Sequence, residues 1–244
     1  MIGRIVLATL VAGMLAGLVL AGIQYLRVTP LILEGETYER ASEPVAAAIA
    51  QAGKPCVENM PGMKMCSDEA KPEWEPAAGL ERTLFTTAAS VLAGAGFATL
   101  LAGISFLLNI PLTRQNGVIW GLCGFLAVAV APAAGLPPEL PGMPVAELLG
   151  RQVWWVATIA VTGIALYLFA MRPESWAKLL ALILLALPHL IGPPVAPPSP
   201  TTVPPGLAAE FVANSIAAAA VFWGALGVFL GYALHPYQKD LAQL

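Results

Sequence analysis

Two groups of residues in this chain have types and spacings suited to metal-ion chemistry. The first is CVENMPGMKMC, residues 56–66, where Cys56 and Cys66 bracket Met60, Met63 and Met65. Reduced thiolates beside thioethers are soft ligands that favour Cu(I), and the thiolates alone also suit zinc. In an oxidising space the same two cysteines would instead close a disulfide and leave no thiolate for a metal. A third reading makes the stretch an ordinary loop. The second consists of oxygen and nitrogen donors: a carboxylate face of Glu36, Glu39 and Glu43, the loop acid Glu139, and His189. Carboxylates and neutral imidazole suit divalent ions such as cobalt, nickel or zinc.

The elements that must position these donors follow from composition. Of 244 residues, 58% are apolar and 11% charged, against roughly 25% charged in ordinary soluble domains. The apolar residues fall in six blocks: Ile5 to Leu26, Thr83 to Ile110, Gly117 to Ala134, Gln152 to Met171, Trp176 to Ile191 and Leu207 to Leu234. A helix needs about 20 such residues to cross the hydrocarbon core. Continuous rather than alternating blocks exclude a porin-like barrel. The expected fold is all-α, a polytopic helical membrane protein of five to six transmembrane helices with one extracytoplasmic segment. Residues 1–26 form its uncleaved first span, 27–82 an acidic segment and 83–244 a bundle of four to five further helices. The fifth block is short enough to be tilted or re-entrant. Gly13 and Gly17, Gly117 and Gly121, and Gly227 and Gly231 are small-xxx-small pairs that let helix backbones approach.

Short-loop lysines and arginines orient the chain. With the N-terminus inside, Arg4, Arg114, Arg172, Lys178 and Lys239 face the cytoplasm, and so does the C-terminus. The acidic segment then faces out. It holds ten of the fifteen acids, and on a helix Glu36, Glu39 and Glu43 share one face with Arg40 beside them. Such a face at a membrane mouth raises the local cation concentration. It serves equally as a solvated face that keeps the segment soluble.

Ionisable groups at membrane depth or at its rim are functional candidates. His189 in LALPHLIGPP follows Pro188, which lacks a backbone donor, and precedes the helix-stopping Gly192-Pro193-Pro194. Glu139 is the one acid of the stiff loop APAAGLPPELPGM, residues 131–143, and Arg151 is placed to pair with Glu139 or Glu147. His235 reads as interfacial and Cys123 as an inert residue inside a span. The chain has no GxxxxGK[ST], HExxH or GxSxG motif and only two histidines, so a P-loop ATPase or membrane hydrolase is poorly supported. No basic aromatic patch suggests nucleic acid.

VTPLILEGETYE, WEPAAGLERTLFT, APAAGLPPELPGM, RQVWW and LPHLIG occur in this order and span most of the chain. Together they resemble the CbtA family of predicted cobalt transporter subunits. The resemblance implies a bacterial inner-membrane protein, not an enzyme, that takes up a divalent metal, with cobalt the expected ion, in connection with cobalamin supply. It implies a small single-span, CbtB-like partner, with the bilayer and a second copy of the chain as further expected partners. No permanently bound cofactor is implied, only a transported Co2+. Glu34, Glu36, Glu39, Glu139 and His189 are the matching candidate metal ligands. Many members carry a histidine-rich tract in the first loop, and here the Cys-Met stretch stands in about that place. Two other roles fit the residues: a non-transporting assembly subunit, and a soft-metal, copper-handling protein built on Cys56 and Cys66.

Overall fold

A 40-residue apolar helix is about twice as long as the hydrocarbon core is thick, and the chain begins with one, Ile2–Ala41. In the computed structural model, which describes residues 2–52, 76–198 and 200–237 and the side chains of 42–52 not at all, this rod has three parts. Helix α1, Ile2–Ile23, passes through a π-helical turn, Gln24–Val28, into α2, Thr29–Ala52. The π turn contains residue 26, where the first apolar block ends. Cys56 and Cys66 lie outside the described residues, as do the acids from Glu58 to Glu75.

Pro30 is the local cause of the π turn. A proline ring inside a helix clashes with the carbonyl four residues earlier and cannot donate to it. Widening the preceding turn moves that carbonyl aside, and the Thr29 N–H accordingly reaches back five residues to the Gln24 carbonyl. The same device recurs later. Helix α4, Gly117–Phe125, passes through a π turn, Leu126–Val130, into the short α5, Ala131–Ala133, which contains Pro132. Here Ala131 N–H reaches Leu126.

The remaining helices are α3, Leu80–Leu107, α6, Leu148–Met171, α7, Ser175–Ile191, and α8, Pro205–Leu234, which ends in a 3-10 turn at His235–Tyr237. Among the described residues there are no strands, and the protein is a polytopic helical membrane protein. Among the described residues, four helices are long and apolar enough to cross a membrane. Gly117–Ala133 and Ser175–Ile191 are shorter apolar helices of 17 residues each, about 26 Å long at 1.5 Å per residue. The third block is the first of these, a helix with a π turn inside it and Pro132 near its end, which stops one residue before the block does, where the proline loop continues. The outward faces are apolar, with Leu92, Leu107 and Leu190 largely exposed, as suits a surface solvated by lipid.

Helix α1 runs between α3 and α8, α4 lies along α8, and α6 pairs with α7 as a hairpin. Every small-xxx-small pair expected from the sequence sits at a backbone-to-backbone contact. A Cβ on Gly13 would lie 2.5 Å from the Gly94 carbonyl oxygen, and one on Gly17 would strike the Ser90 carbonyl. Gly117 and Gly227 face each other in the same way, and a Cβ on Gly231 would come within 2.6 Å of the Thr113 carbonyl. Beside these seams Phe97, Phe222 and Trp223 form an aromatic cluster, with the Phe97 and Trp223 centroids 5.0 Å apart. Gly124 provides the space that the Trp223 ring fills.

Helix direction alternates. One end of the bundle, the proline-rich end, gathers the finish of α1, α5 and α7 and the start of α3, α6 and α8. The opposite end holds residue 2, the α3–α4 turn and the finish of α8, where Arg114 stacks over the Tyr232 ring at 5.0 Å.

Candidate functional site

The proline-rich end is assembled from segments far apart in sequence. Gly35 of α2 is buried because Leu140 of the proline loop lies on it; a Cβ there would meet Leu140 Cδ2 at 3.2 Å. Gly142, with φ of +82°, takes a left-handed conformation that suits glycine and lies against the backbone of Glu39. Thr201 Oγ1 donates to the Gly142 carbonyl at 3.0 Å, and Thr202 Oγ1 donates to the Tyr38 carbonyl at 3.3 Å. Val28, Leu31, Leu140, Val203, Leu207 and Phe211 form an apolar cluster beneath. The stiff loop is therefore clamped between α2 and the segment leading into α8.

Each donor expected from the sequence has a definite place on this scaffold. Glu34 is exposed, and its carbonyl accepts Thr37 Oγ1 at 2.7 Å. Glu36 is half-buried and forms an ion pair with Arg82 at the start of α3, with Arg40 Nη2 3.8 Å from its other oxygen. Glu39 is exposed on the same helix. Glu139 faces Arg151 in the first turn of α6, with Nη2 2.8 Å from Oε2. The approach is off the hydrogen-bonding axis, so this buried oxygen has a Coulombic partner but no well-directed donor among the described residues. His189 is exposed in the last turn of α7, and its ring stands edge-on to Trp154 with centroids 6.0 Å apart.

Trp154 ties these parts together. Its Nε1 donates to the Pro188 carbonyl at 3.3 Å, and its six-membered ring fills the space left by Gly135, where a Cβ would come within 2.5 Å of Cη2. Helix α7 runs on through Pro188 and stops at Gly192, φ +86°. Glu147 caps α6, accepting from Leu149 N at 2.8 Å and Gly150 N at 2.7 Å. These backbone donors, Gly150 first, hold its carboxyl below the ordinary carboxylate range.

The structure thus brings Glu139 to Arg151 and Glu36 to Arg82, and sets His189 against an indole. Among the described residues no three His, Cys, Asp or Glu side chains are grouped closely enough to hold a metal ion. Arg82 and Trp154 were not singled out as site residues in the sequence, although both lie inside stretches that carry the family resemblance. Gln24 and Ser90 were also passed over. Ser90 Oγ donates to Gln24 Oε1 at 2.9 Å, joining α3 to the first π turn. The signal for it was a lone amide in the first apolar block.

The five stretches VTPLILEGETYE, WEPAAGLERTLFT, APAAGLPPELPGM, RQVWW and LPHLIG are consequently one connected patch. Arg82 links the first two, Leu140 the first and third, Glu139 and Arg151 the third and fourth, and Trp154 the fourth and fifth. The sequence model of the family described as "Probable cobalt transporter subunit (CbtA)" matches residues 2–235. The chain belongs to the CbtA family. No curated protein and no solved structure matches it. The CbtA match covers every helix described above, from the start of α1 to the end of α8, and thus the whole patch.

Proposed function

We propose that this CbtA-family chain is the membrane subunit of a divalent-metal uptake system with cobalt(II) as its cargo. The observation that carries the reading is the family match over residues 2–235. The connected patch at the proline-rich end supports it. In this reading the patch faces the outside of a bacterial inner membrane, with both termini in the cytoplasm. Exposed Glu34 and Glu39, with Glu36 between them, attract the cation. Glu139, carrying a buried oxygen, takes it up at the rim, and His189 supplies a nitrogen donor nearer the α7 end. A divalent ion in hydrocarbon needs several donors at once. Pro30, Pro132 and Pro188 each leave a helix carbonyl without its usual donor at this end, and these add oxygen ligands. A small single-span, CbtB-like subunit completes the transporter, and the chain itself performs no covalent chemistry.

Cells carrying the whole transporter and supplied with radioactive cobalt test this. Glu139→Gln and His189→Ala are each expected to lower uptake about tenfold or more, since losing even a hydrogen-bond partner of a metal ligand costs that much. Unchanged uptake in both would remove the proposed site.

A further inference from the structure

Arg151 is an arginine in an electrostatically poor place. It lies in the first turn of α6, where the helix dipole presents its positive end. Glu147, four residues earlier, would be its natural helical partner, but both Glu147 oxygens are occupied by the Leu149 and Gly150 amides. What holds the guanidinium is Glu139, through the off-axis contact at 2.8 Å. A two-pronged, coplanar arginine–carboxylate pair would be stronger and harder to open. Directly beside Arg151 is a cavity of about 400 Å³, lined also by Val128, Pro132, Gln152, Trp155 and Ser215. Its lining residues include an amide, a hydroxyl and an indole side chain, types that a guanidinium can engage.

We propose that Arg151 is a tethered competitor for the cation at Glu139 and sets the charge that an incoming ion must exceed. The inference rests on the reading of Glu139 as a cation ligand and adds what occupies that ligand between ions. A monovalent ion only matches the guanidinium's charge, so displacing it brings no gain in Coulombic attraction. A divalent ion has twice the Coulombic attraction for the carboxylate at the same distance. It also repels the guanidinium, which the α6 dipole already disfavours. Arg151 then turns from Glu139 into the cavity, towards Gln152, Ser215 and the Trp155 face. Arg151 is thus a specificity-determining residue that touches the cargo's ligand rather than the cargo.

The test is cobalt uptake by cells expressing the whole transporter, with apparent KM and maximal rate measured separately and potassium added in large excess as competitor. For Arg151→Gln the apparent KM for Co2+ is expected to fall about tenfold, and potassium is expected to inhibit this variant while leaving the wild type unaffected. A purely structural role would lower the maximal rate and leave the potassium response unchanged. An unchanged or raised KM in Arg151→Gln, with Glu139→Gln inactive, overturns the competitor role and leaves the Glu139 site standing. Full activity of Glu139→Gln instead removes that site and the inference with it. If Arg151→Gln fails to accumulate in the membrane, Arg151→Lys carries the test. It keeps the charge and weakens the grip, so its KM should drop several-fold while potassium remains without effect; an unchanged KM overturns the proposal.

Discussion

Glu147 shows how a single carboxylate is assigned its task by its neighbours. It accepts two backbone N–H groups at the start of α6, and this lowers its pKa in the folded state. A depressed carboxylate contributes stability that is fully present above its unfolded pKa, about 4.3 for glutamate, and is lost as pH falls through the lower folded value. Glu147→Ala should therefore lower the melting temperature of the solubilised protein by a few degrees at neutral pH. The gap between variant and wild type should close as the pH is taken below 4. A gap that persists in acid would show that the cap does not act through its charge. The same residue explains why the partner of Arg151 was only half legible in sequence. Spacing along one helix offers Glu147, and the loop offers Glu139. The choice falls to Glu139 because backbone amides have already claimed Glu147.

At the scale of elements, small residues and prolines have separate tasks. The glycine pairs let α1 meet α3, and α4 meet α8, backbone to backbone, a mode of association suited to a solvent as apolar as the side chains. Gly227 has the Gly117 carbonyl against it, whereas Gly224, three residues earlier, has open space. Backbone cannot yield as a flexible side chain can. Gly227→Leu should destabilise the bundle by about 1–3 kcal/mol or prevent its assembly, while Gly224→Leu should be tolerated. Thermal unfolding in detergent, followed by size-exclusion chromatography, separates the two, and equal behaviour would refute the seam. Sequence pointed to these glycine pairs but not to their partners, because the motif states how close a helix may come and not which helix comes. The prolines were visible too. That Pro30 and Pro132 each follow a π turn became clear only with the backbone in place.

For the whole molecule, alternating helix directions place residue 2, the α3–α4 turn and the finish of α8 together, away from the proline-rich end. Gly3 and Gln115 are exposed at the first of these ends and Val195 at the second. In a chain with Cys56, Cys66 and Cys123 changed to serine, Val195→Cys should react with a membrane-impermeant maleimide in intact cells. Gly3→Cys and Gln115→Cys should react only after permeabilisation. The reverse pattern would invert the orientation, and opposite behaviour of Gly3→Cys and Gln115→Cys would break the alternation itself.

Crossing a bilayer is a one-dimensional requirement. The length of an uncharged run, compared with the thickness of the hydrocarbon, decides it, and so the helical membrane class and the approximate extents of the helices after the first were readable from the order of residues alone, whereas the run of the first helix past residue 26 to Ala41 was not. Which charge meets which is a three-dimensional matter. Glu36 and Arg82 are 46 residues apart and Glu139 and Arg151 are 12 apart, and no periodicity relates either pair. Their meeting depends on glycine seams that set helix spacing and on a proline loop clamped over Gly35. That is why only the tertiary structure could turn five separate stretches into one patch.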